Sequence, residues 1–355
     1  MKKLLGTPAL LVAAIALTAT LAACGSSKKS SASASATTVS GPVTLNLGYF
    51  PNVTHATAIA GVEKGIFAKD LGTNVTLNTA TFNAGPAAVE ALFSGAIDAT
   101  YVGPNPAINA WSQSNGSAIK IISGATSGGA ALVVKPTINS AADLKGKKIA
   151  TPQLGNTQDV ALRAYLKDKG LKTDASGGGD VNIVPQENSQ TLDTFKAGSI
   201  DGAWVPEPWV SRLVLDGGGK VLVDEKTLWP EGKFVTTLLV VRTAFLKAHP
   251  DVVKRLLQGQ VDANDYVNKN GAEAQQVVNE GIGKVTGKKL SDAVIAAAWK
   301  NLTFTNDPIA SSLKTSAQHA QDAGLLKPVN LTGIFDVTTL NHVLEAAKES
   351  TVSAS

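Results

Sequence analysis

The chain has 355 residues, a formal net charge of +4 and a single cysteine. One cysteine excludes an intrachain disulfide and any metal site built on cysteines, so a hydrophobic core must hold the body together, and the length suffices for two domains or lobes. Removing residues 1–23 lowers the charge to +2, which is too small and too evenly spread for a nucleic-acid-binding surface.

The N-terminal segment has the pattern of an export signal that ends in a lipidation site. Lys2 and Lys3 precede an apolar run over residues 4–21, which has the length of a signal-peptide core rather than of a membrane span. Small residues then lead to Cys24, an arrangement that resembles the bacterial lipobox, in which the thiol is acylated. We therefore predict a signal peptide over residues 1–23 and a lipid anchor at Cys24; a plain signal peptide or an uncleaved span is the alternative.

The segment that follows the cysteine predicts a disordered tether. Residues 24–40 consist mainly of serine, alanine, lysine and threonine, and they contain too little apolar surface to fold. A polar tether behind a lipidated cysteine suits a domain held at the outer face of the cytoplasmic membrane.

From Val43 onward, short apolar strands alternate with helical segments, which predicts α/β sheets covered by helices on both faces. The predicted strands form a first series at residues 43–47, 75–77, 97–102 and 119–122, and a second series at residues 148–150, 181–184, 200–205 and 221–223.

An internal repeat links the two series. Leu92–Val102 aligns without gaps on Phe195–Val205, with glycine, isoleucine, aspartate and valine at the same positions and Tyr101 opposite Trp204. In each copy a glycine stops a helix before a short buried strand that carries an aromatic residue near its end. We interpret the repeat as two similar lobes.

The last third of the chain has a different pattern. An apolar strand at Val235–Val241 is followed only by helical patterns, one of them with Asp307 as its N-cap. We expect this helical region to pack on the first lobe, with the chain crossing between lobes near residues 133–136 and 234–240. The predicted lobes are residues 41–134 plus 238–350, and residues 135–237.

The loops at the carboxyl ends of the predicted strands are the expected ligand site of an open α/β sheet. They contain aromatic residues, amides, hydroxyls and glycines, and helix N-termini that favour anions follow several of them. Two such faces, one from each lobe, predict a closing cleft. Glu207 is the most distinctive candidate, because Pro206 and Pro208 hold it rigidly; its alternative is a solvated loop charge.

Several of these loop residues also have purely structural interpretations. Trp204 lies in an apolar strand and fits the core as well as a pocket, Asn156 and Thr157 fit a helix cap, and Ser127–Gly128 fits a flexible hinge. The position of His55 in the first turn of a helix fits a pocket or a surface equally.

Catalytic patterns are absent from the sequence. It has no nucleophile elbow, no His-Glu-x-x-His motif and no phosphate-binding loop, and its four histidines are far apart. We therefore expect no enzyme, no cofactor and no metal.

Five segments resemble the aliphatic sulfonate-, taurine- and nitrate-binding proteins of ABC importers. They occur in the family's order between about residues 43 and 270: Leu45–Tyr49, Glu63–Phe67, Ala91–Asp98, Asp143–Ala150 and Glu207–Trp209. The resemblance implies a class II periplasmic-binding-protein-like fold with two α/β lobes, two hinge crossings and a small solute in the cleft. It also implies an ABC permease and its ATPase as partners, and we expect a monomer.

The resemblance implies a set of ligand-binding residues on the strand-end loops. By position they are Tyr49, Phe50, Asn52, His55, Phe82, Asn83, Asn105, Ser127, Gly128, Gln153, Asn156, Thr157, Trp204 and Glu207.

The solute is left open between several classes. None of the site loops contains lysine or arginine, whereas Glu207 favours a hydrogen-bond donor on the ligand, and an amino-sulfonate such as taurine would satisfy both features. A thiamine-pyrimidine-like or other heteroaromatic solute, or nitrate, is the alternative. A non-transport sensor lipoprotein and a pyrimidine-synthase-like enzyme are rival functions, although the enzyme's cysteine cluster cannot be formed here.

Overall fold

The computed structural model describes residues 41–354. The predicted signal peptide, the anchor at Cys24 and the tether lie outside the described residues and stay predictions. Among residues 41–354, none of the helices has the length and apolar content needed to cross a bilayer.

Eleven strands and thirteen α-helices, with a few short 3₁₀ turns, make up residues 41–354. The strands are β1 Val43–Tyr49, β2 Val75–Thr81, β3 Ala99–Val102, β4 Ile119–Gly128, β5 Ala130–Val134, β6 Lys148–Thr151, β7 Asn182–Pro185, β8 Gly202–Pro206, β9 Lys220–Asp224, β10 Val235–Arg242 and β11 Leu302–Phe304. The helices are α1 Ala56–Glu63, α2 Ile66–Leu71, α3 Gly85–Ser94, α4 Pro104–Gln113, α5 Thr157–Asp168, α6 Asn188–Lys196, α7 Trp209–Leu215, α8 Thr243–Ala248, α9 Pro250–Lys269, α10 Gly271–Thr286, α11 Asp292–Lys300, α12 Ala310–Asp322 and α13 Thr338–Ala346.

The strands form two sheets with the same central arrangement. The first sheet has the order β11-β4-β10-β3-β1-β2, and the second has the order β7-β6-β8-β5-β9. In each sheet three neighbouring strands are parallel, β2-β1-β3 and β7-β6-β8, and an antiparallel strand, β10 or β5, lies beside them. Parallel neighbours require helical crossovers, which is what the alternating sequence pattern predicts.

Both sheets bury apolar side chains on both faces. Along β10, Leu239 faces one hydrophobic cluster while Leu238 and Val240 face another. Along β5, Leu132 and Val133 divide between two further clusters in the same way. This alternation follows from the two-residue period of a strand, and it explains why the sequence shows continuous apolar runs instead of a polar alternation.

The internal repeat has a structural counterpart in the two sheets. Gly95 and Gly198 end α3 and α6 with the same left-handed backbone, φ +75°. Asp98 then accepts a hydrogen bond from the backbone N–H of Asn46 on β1, and Asp201 accepts one from Lys148 on β6, at 2.9 and 3.0 Å. Each aspartate therefore pins the start of one parallel strand to its neighbour.

The C-terminal helices cover the first sheet, as predicted. Helix α9 packs against α1, α2 and β4, and α13 packs against α9 and β4. The predicted fold class is confirmed: two α/β lobes are joined by two crossings, and a helical C-terminal region packs on the first.

Three details differ from the sequence-based predictions. The first crossing lies at Gly129 and not near residues 133–136, because β5 pairs with β8 and β9 of the second sheet. The C-terminal region also contains a strand, β11, which adds to the edge of β4. Asp307 precedes the helix by three residues and accepts a hydrogen bond from the backbone N–H of Ile309, which is itself the N-cap.

Candidate functional site

The carboxyl ends of parallel strands from both sheets meet at one small cavity of about 30 Å³. Phe50 and Gly103 directly follow β1 and β3 of the first sheet, whereas Pro152 follows β6 and Pro206 ends β8 of the second sheet. Strand ends of open α/β sheets are the usual place for a ligand. We call this cavity the cleft cavity.

Six of the fourteen predicted site residues line the cleft cavity: Phe50, Asn52, His55, Asn83, Asn156 and Thr157. The remaining lining residues were not among the candidates: Thr54, Ala84, Gly103, Pro152, Gln158, Asn188, Pro206, Thr236 and Thr237. No lysine, arginine, aspartate or glutamate belongs to this lining, so the cavity offers amides, hydroxyls, an imidazole and backbone groups.

Three side-chain oxygens of the cleft cavity are buried and have no hydrogen-bond partner within residues 41–354. They are Thr157 Oγ1, Asn188 Oδ1 and Thr237 Oγ1. A buried polar group without a partner costs about 1–3 kcal/mol, so such groups are rare in folded proteins. Each of these three oxygens could form a hydrogen bond with a polar ligand in the cavity.

His55 is held in one neutral form at the cavity wall. Its Nδ1 accepts a hydrogen bond from the backbone N–H of Phe50 at 3.2 Å, and the two rings stack at 4.4 Å. Burial lowers the pKa of the imidazole to about 3, because a charged ring would lose its hydration. At neutral pH the proton therefore resides on Nε2, which makes His55 a neutral hydrogen-bond donor.

Two helices of the second sheet begin at the cleft cavity. Thr157 is the first residue of α5 and Asn188 is the first residue of α6. The first turn of a helix leaves backbone N–H groups unpaired and carries a partial positive charge. These two ends supply positive potential to a lining that has no cationic side chain.

Trp204 lies in the core of the second sheet and not at the cleft cavity. Its side chain is fully buried, its Nε1–H donates to Glu225 at 2.7 Å, and its ring packs against Tyr165. Trp204 is therefore a core residue, because the alternation of side chains along β8 turns it toward α5.

The carboxylate of Glu207 also forms hydrogen bonds within the protein. It accepts hydrogen bonds from the Ser211 backbone N–H at 3.1 Å, from the Ser211 hydroxyl at 2.9 Å and from Asn301 Nδ2 at 2.7 Å. The carboxylate is fully buried and does not line the cleft cavity. It joins the turn before α7 to the segment before β11, so Glu207 ties a loop of the second sheet to the C-terminal region.

Five further candidates lie away from the cleft cavity. Tyr49 packs in the core cluster behind the first sheet, and Asn105 donates to the carbonyl of Ser316. Ser127 and Gly128 pair with β11, and Gln153 is exposed.

The remaining candidate, Phe82, lines a larger groove of about 700 Å³ that borders the cavity. Asn52, Asn83 and Asn188 line both spaces. Trp209 Nε1–H donates to Asn52 Oδ1 at 3.0 Å, and this bond joins α7 of the second sheet to the loop after β1. We call this space the outer groove.

The residues that the sequence missed carried weak signals. Thr236 and Thr237 are two adjacent hydroxyls inside the otherwise apolar strand β10. Asn188 follows the carboxyl end of β7, which is a parallel strand of the second sheet. Both signals were available, but only the pairing of the strands brings these residues to one cavity.

Comparisons with known proteins agree with this architecture. The chain is 35% identical over 197 residues to the taurine-binding periplasmic protein of Escherichia coli, a match that covers 56% of this chain and 58% of that protein. The structure superposes with a TM-score of 0.70 on the alkanesulfonate-binding protein SsuA of Xanthomonas axonopodis pv. citri bound to MOPS, at 20% identity over 84% of this chain and 99% of that one.

The periplasmic nitrate-binding protein NrtA of Synechocystis PCC 6803 also shares the fold, with a TM-score of 0.70 at 18% identity over 86% of this chain and 89% of that one. Residues 39–281 match the NMT1-like family. This match covers more than half of the sequence, and the chain therefore belongs to the NMT1-like family.

Proposed function

We propose that this chain is the extracytoplasmic solute-binding lipoprotein of an ABC importer, and that it captures a small sulfonate of the taurine type in the cleft cavity. The single observation that carries the proposal is the cleft cavity itself, where Thr157, Asn188 and Thr237 present unpartnered buried oxygens from both sheets. The family membership and the names of the relatives support the same function. We also propose that the two sheets with their helices are the two lobes.

The chemistry of the lining fits a zwitterionic solute. Threonine hydroxyls, the neutral imidazole of His55 and the first turns of α5 and α6 donate hydrogen bonds to sulfonate oxygens. Asn188 Oδ1 is an acceptor and suits an ammonium group. Because no charged side chain lines the cavity, the sulfonate's charge would be balanced by oriented dipoles.

The size of the cavity makes nitrate a second candidate. A cavity of about 30 Å³ holds roughly two water molecules, a space that suits a compact anion better than taurine. Taurine would extend through the shared residues Asn52, Asn83 and Asn188 toward the outer groove, or would require the lobes to part. A thermal-shift screen distinguishes the two solutes.

A thermal-shift screen tests the solute class. We expect taurine or another small sulfonate to raise the melting temperature of the purified chain, since a ligand at about 100 times its Kd adds about 2.7 kcal/mol. Nitrate, a pyrimidine and sodium chloride at equal ionic strength serve as competitors and control. A shift with nitrate alone would reassign the solute, and no shift with any of them would contradict the proposed function.

Two further experiments test the importer role and the anchor. Deleting the gene should abolish uptake of labelled taurine, and restoring it should recover uptake. Substituting Cys24→Ala should remove acyl labelling and release the chain from the membrane fraction. Uptake that persists without the gene would favour a sensor role.

A further inference from the structure

A second pocket is lined by other residues than the cleft cavity, and it combines aromatic rings with a buried carboxylate. It has a volume of about 250 Å³ and is lined by Tyr165, Asp168, Glu225, Leu228, Trp229 and His319, with two alanines. Tyr165 and Asp168 lie on α5, and His319 lies on α12, which packs against α5. The two sets of lining residues share no member. We call it the aromatic pocket.

Glu225 is a buried carboxylate that has no cationic partner within residues 41–354. Only 2% of its surface is exposed, and its Oε2 accepts a hydrogen bond from Trp204 Nε1 at 2.7 Å. Burial raises the pKa of Glu225 to about 7, and hydrogen bonds from Trp204 and Trp229 offset part of the effect. Neutral donors do not balance a full charge, so ionised Glu225 is unfavourable without a counter-ion.

The nearby cations are already paired with other acids. Lys169 lies 2.8 Å from Asp168, Lys226 lies 3.1 Å from Asp224, and Lys167 lies 3.0 Å from Asp322. His319 does not supply a charge either, because burial lowers its pKa below the ordinary histidine value. Lys169 also lies over the Tyr165 ring, 5.6 Å from its centroid, and none of the three lysines is paired with Glu225.

The aromatic side chains give the pocket a surface suited to an organic cation. The Trp229 ring stacks on Phe234 with centroids 5.4 Å apart and lies 5.8 Å from the ring of His319. Tyr165 packs against Trp204, the donor to Glu225. Aromatic faces attract cations through their quadrupole, most strongly where water is excluded.

We propose that the aromatic pocket binds a small organic cation of the alkylammonium class, with Glu225 as its counter-ion and the ring of Trp229 as its cation–π partner. A volume of 250 Å³ accommodates a quaternary ammonium group. The site joins α5 and α12, and it shares no lining residue with the cleft cavity.

Calorimetric titration of the full chain with tetramethylammonium chloride at pH 8.5 tests the site, with sodium chloride at equal ionic strength as the blank. We expect saturable binding that Glu225→Gln weakens at least tenfold, while Glu231→Gln, an exposed carboxylate paired with Lys233, leaves it unchanged. Trp229→Leu should weaken binding as well and provides a second variant if Glu225→Gln fails to fold. Absence of saturable binding would overturn the proposal.

The pH profile separates this site from the cleft cavity. Glu225 is surrounded by Asp224, Asp168, the paired Lys226 and Lys169, and His319. Burial raises the pKa of Glu225 to about 7, so this carboxylate becomes neutral as the pH falls below 7. Affinity for tetramethylammonium should therefore fall about tenfold per pH unit below pH 7.

A cleft variant completes the test. Binding of tetramethylammonium should persist in Thr237→Val, because Thr237 lines only the cleft cavity. A pH-independent affinity, or loss of binding in Thr237→Val, would place the cation elsewhere.

Discussion

Gly103 and Thr157 approach each other across the cleft cavity so closely that a methyl group on Gly103 would lie 2.3 Å from Thr157 Oγ1. Gly103 precedes α4 beside the first sheet, and Thr157 begins α5 beside the second. The backbone of Gly103 has φ −72°, which any residue adopts. This glycine is therefore required by the approach of the two lobes and not by its own conformation.

Gly103→Ala should weaken taurine binding at least tenfold. The added methyl group would push Thr157 away and hold the two faces of the cavity apart, and overpacking of this kind should cost about 1–3 kcal/mol of folding stability. Isothermal titration with taurine measures the effect. Gly271→Ala is the matched control, because a methyl group there meets nothing within 4 Å; equal affinities in both variants would contradict the prediction.

Thr237→Val should separate binding from stability. The Thr237 hydroxyl is buried without a partner, so its removal should leave the free energy of unfolding unchanged or raise it by about 1 kcal/mol. Taurine affinity should fall about tenfold, because the solute loses a hydrogen bond. Urea denaturation and calorimetry measure the two quantities.

Thr126→Val supplies the contrast for that experiment. Its hydroxyl donates to the Thr54 carbonyl at 2.6 Å, so this variant should lose about 1–3 kcal/mol of stability. If Thr237→Val were destabilised as much as Thr126→Val, the Thr237 hydroxyl would have a structural role.

Glu207→Gln should affect stability more than binding. The carboxylate accepts three hydrogen bonds from Ser211 and Asn301, and an amide would direct an N–H group at one of these donors. We expect a loss of about 1–3 kcal/mol in urea denaturation and a change of less than about threefold in taurine affinity. The exposed Glu90→Gln is the control. A complete loss of binding with normal stability would return Glu207 to the site.

His55 should make the protein sensitive to acid. Its pKa is 6.5 in the unfolded chain and about 3 in the folded protein, so below pH 6.5 the unfolded state takes up a proton that the folded state refuses. The stability that neutral His55 provides is complete above pH 6.5 and is lost toward pH 3, at up to about 1.4 kcal/mol per pH unit.

His55→Gln should flatten this dependence. Urea denaturation at pH 7.5, 6 and 5 should show the wild type losing more stability than the variant at each step. The exposed His342→Gln should behave as the wild type. Parallel curves for the wild type and His55→Gln would show that this ring titrates normally in the folded protein.

The fold could be predicted from the sequence because its signals are local. The alternation of strands and helices, the glycine that ends α3 and α6, and the apolar run of β10 are each set by a few neighbouring residues. The repeat around Asp98 and Asp201 has a counterpart in both sheets, where each carboxylate accepts a hydrogen bond from a neighbouring strand.

The site could be predicted only in part, because a loop's position does not fix where each side chain points. Asn52, His55 and Thr157 reach the cleft cavity, whereas Glu207 and Trp204, from the most distinctive motif, turn to Asn301 and Glu225. Asn301 is 94 positions from Glu207, and Glu225 is 21 positions from Trp204, so neither partner belongs to the motif. A polar residue therefore identifies a possible ligand contact, while its hydrogen-bond partner decides the role.

The sequence by itself determined the class of fold, the order of its elements and the strand ends that meet at the cleft cavity, because hydrophobic period and turn residues act over short distances. Only the tertiary structure decided which polar groups stay unsatisfied. Thr237 lines the cleft cavity because β10 carries it to the ends of β1 and β3, whereas the Glu207 carboxylate is held by Asn301, ninety-four positions away in the sequence. Satisfaction of a buried polar group depends on long-range contacts, and no local pattern records them.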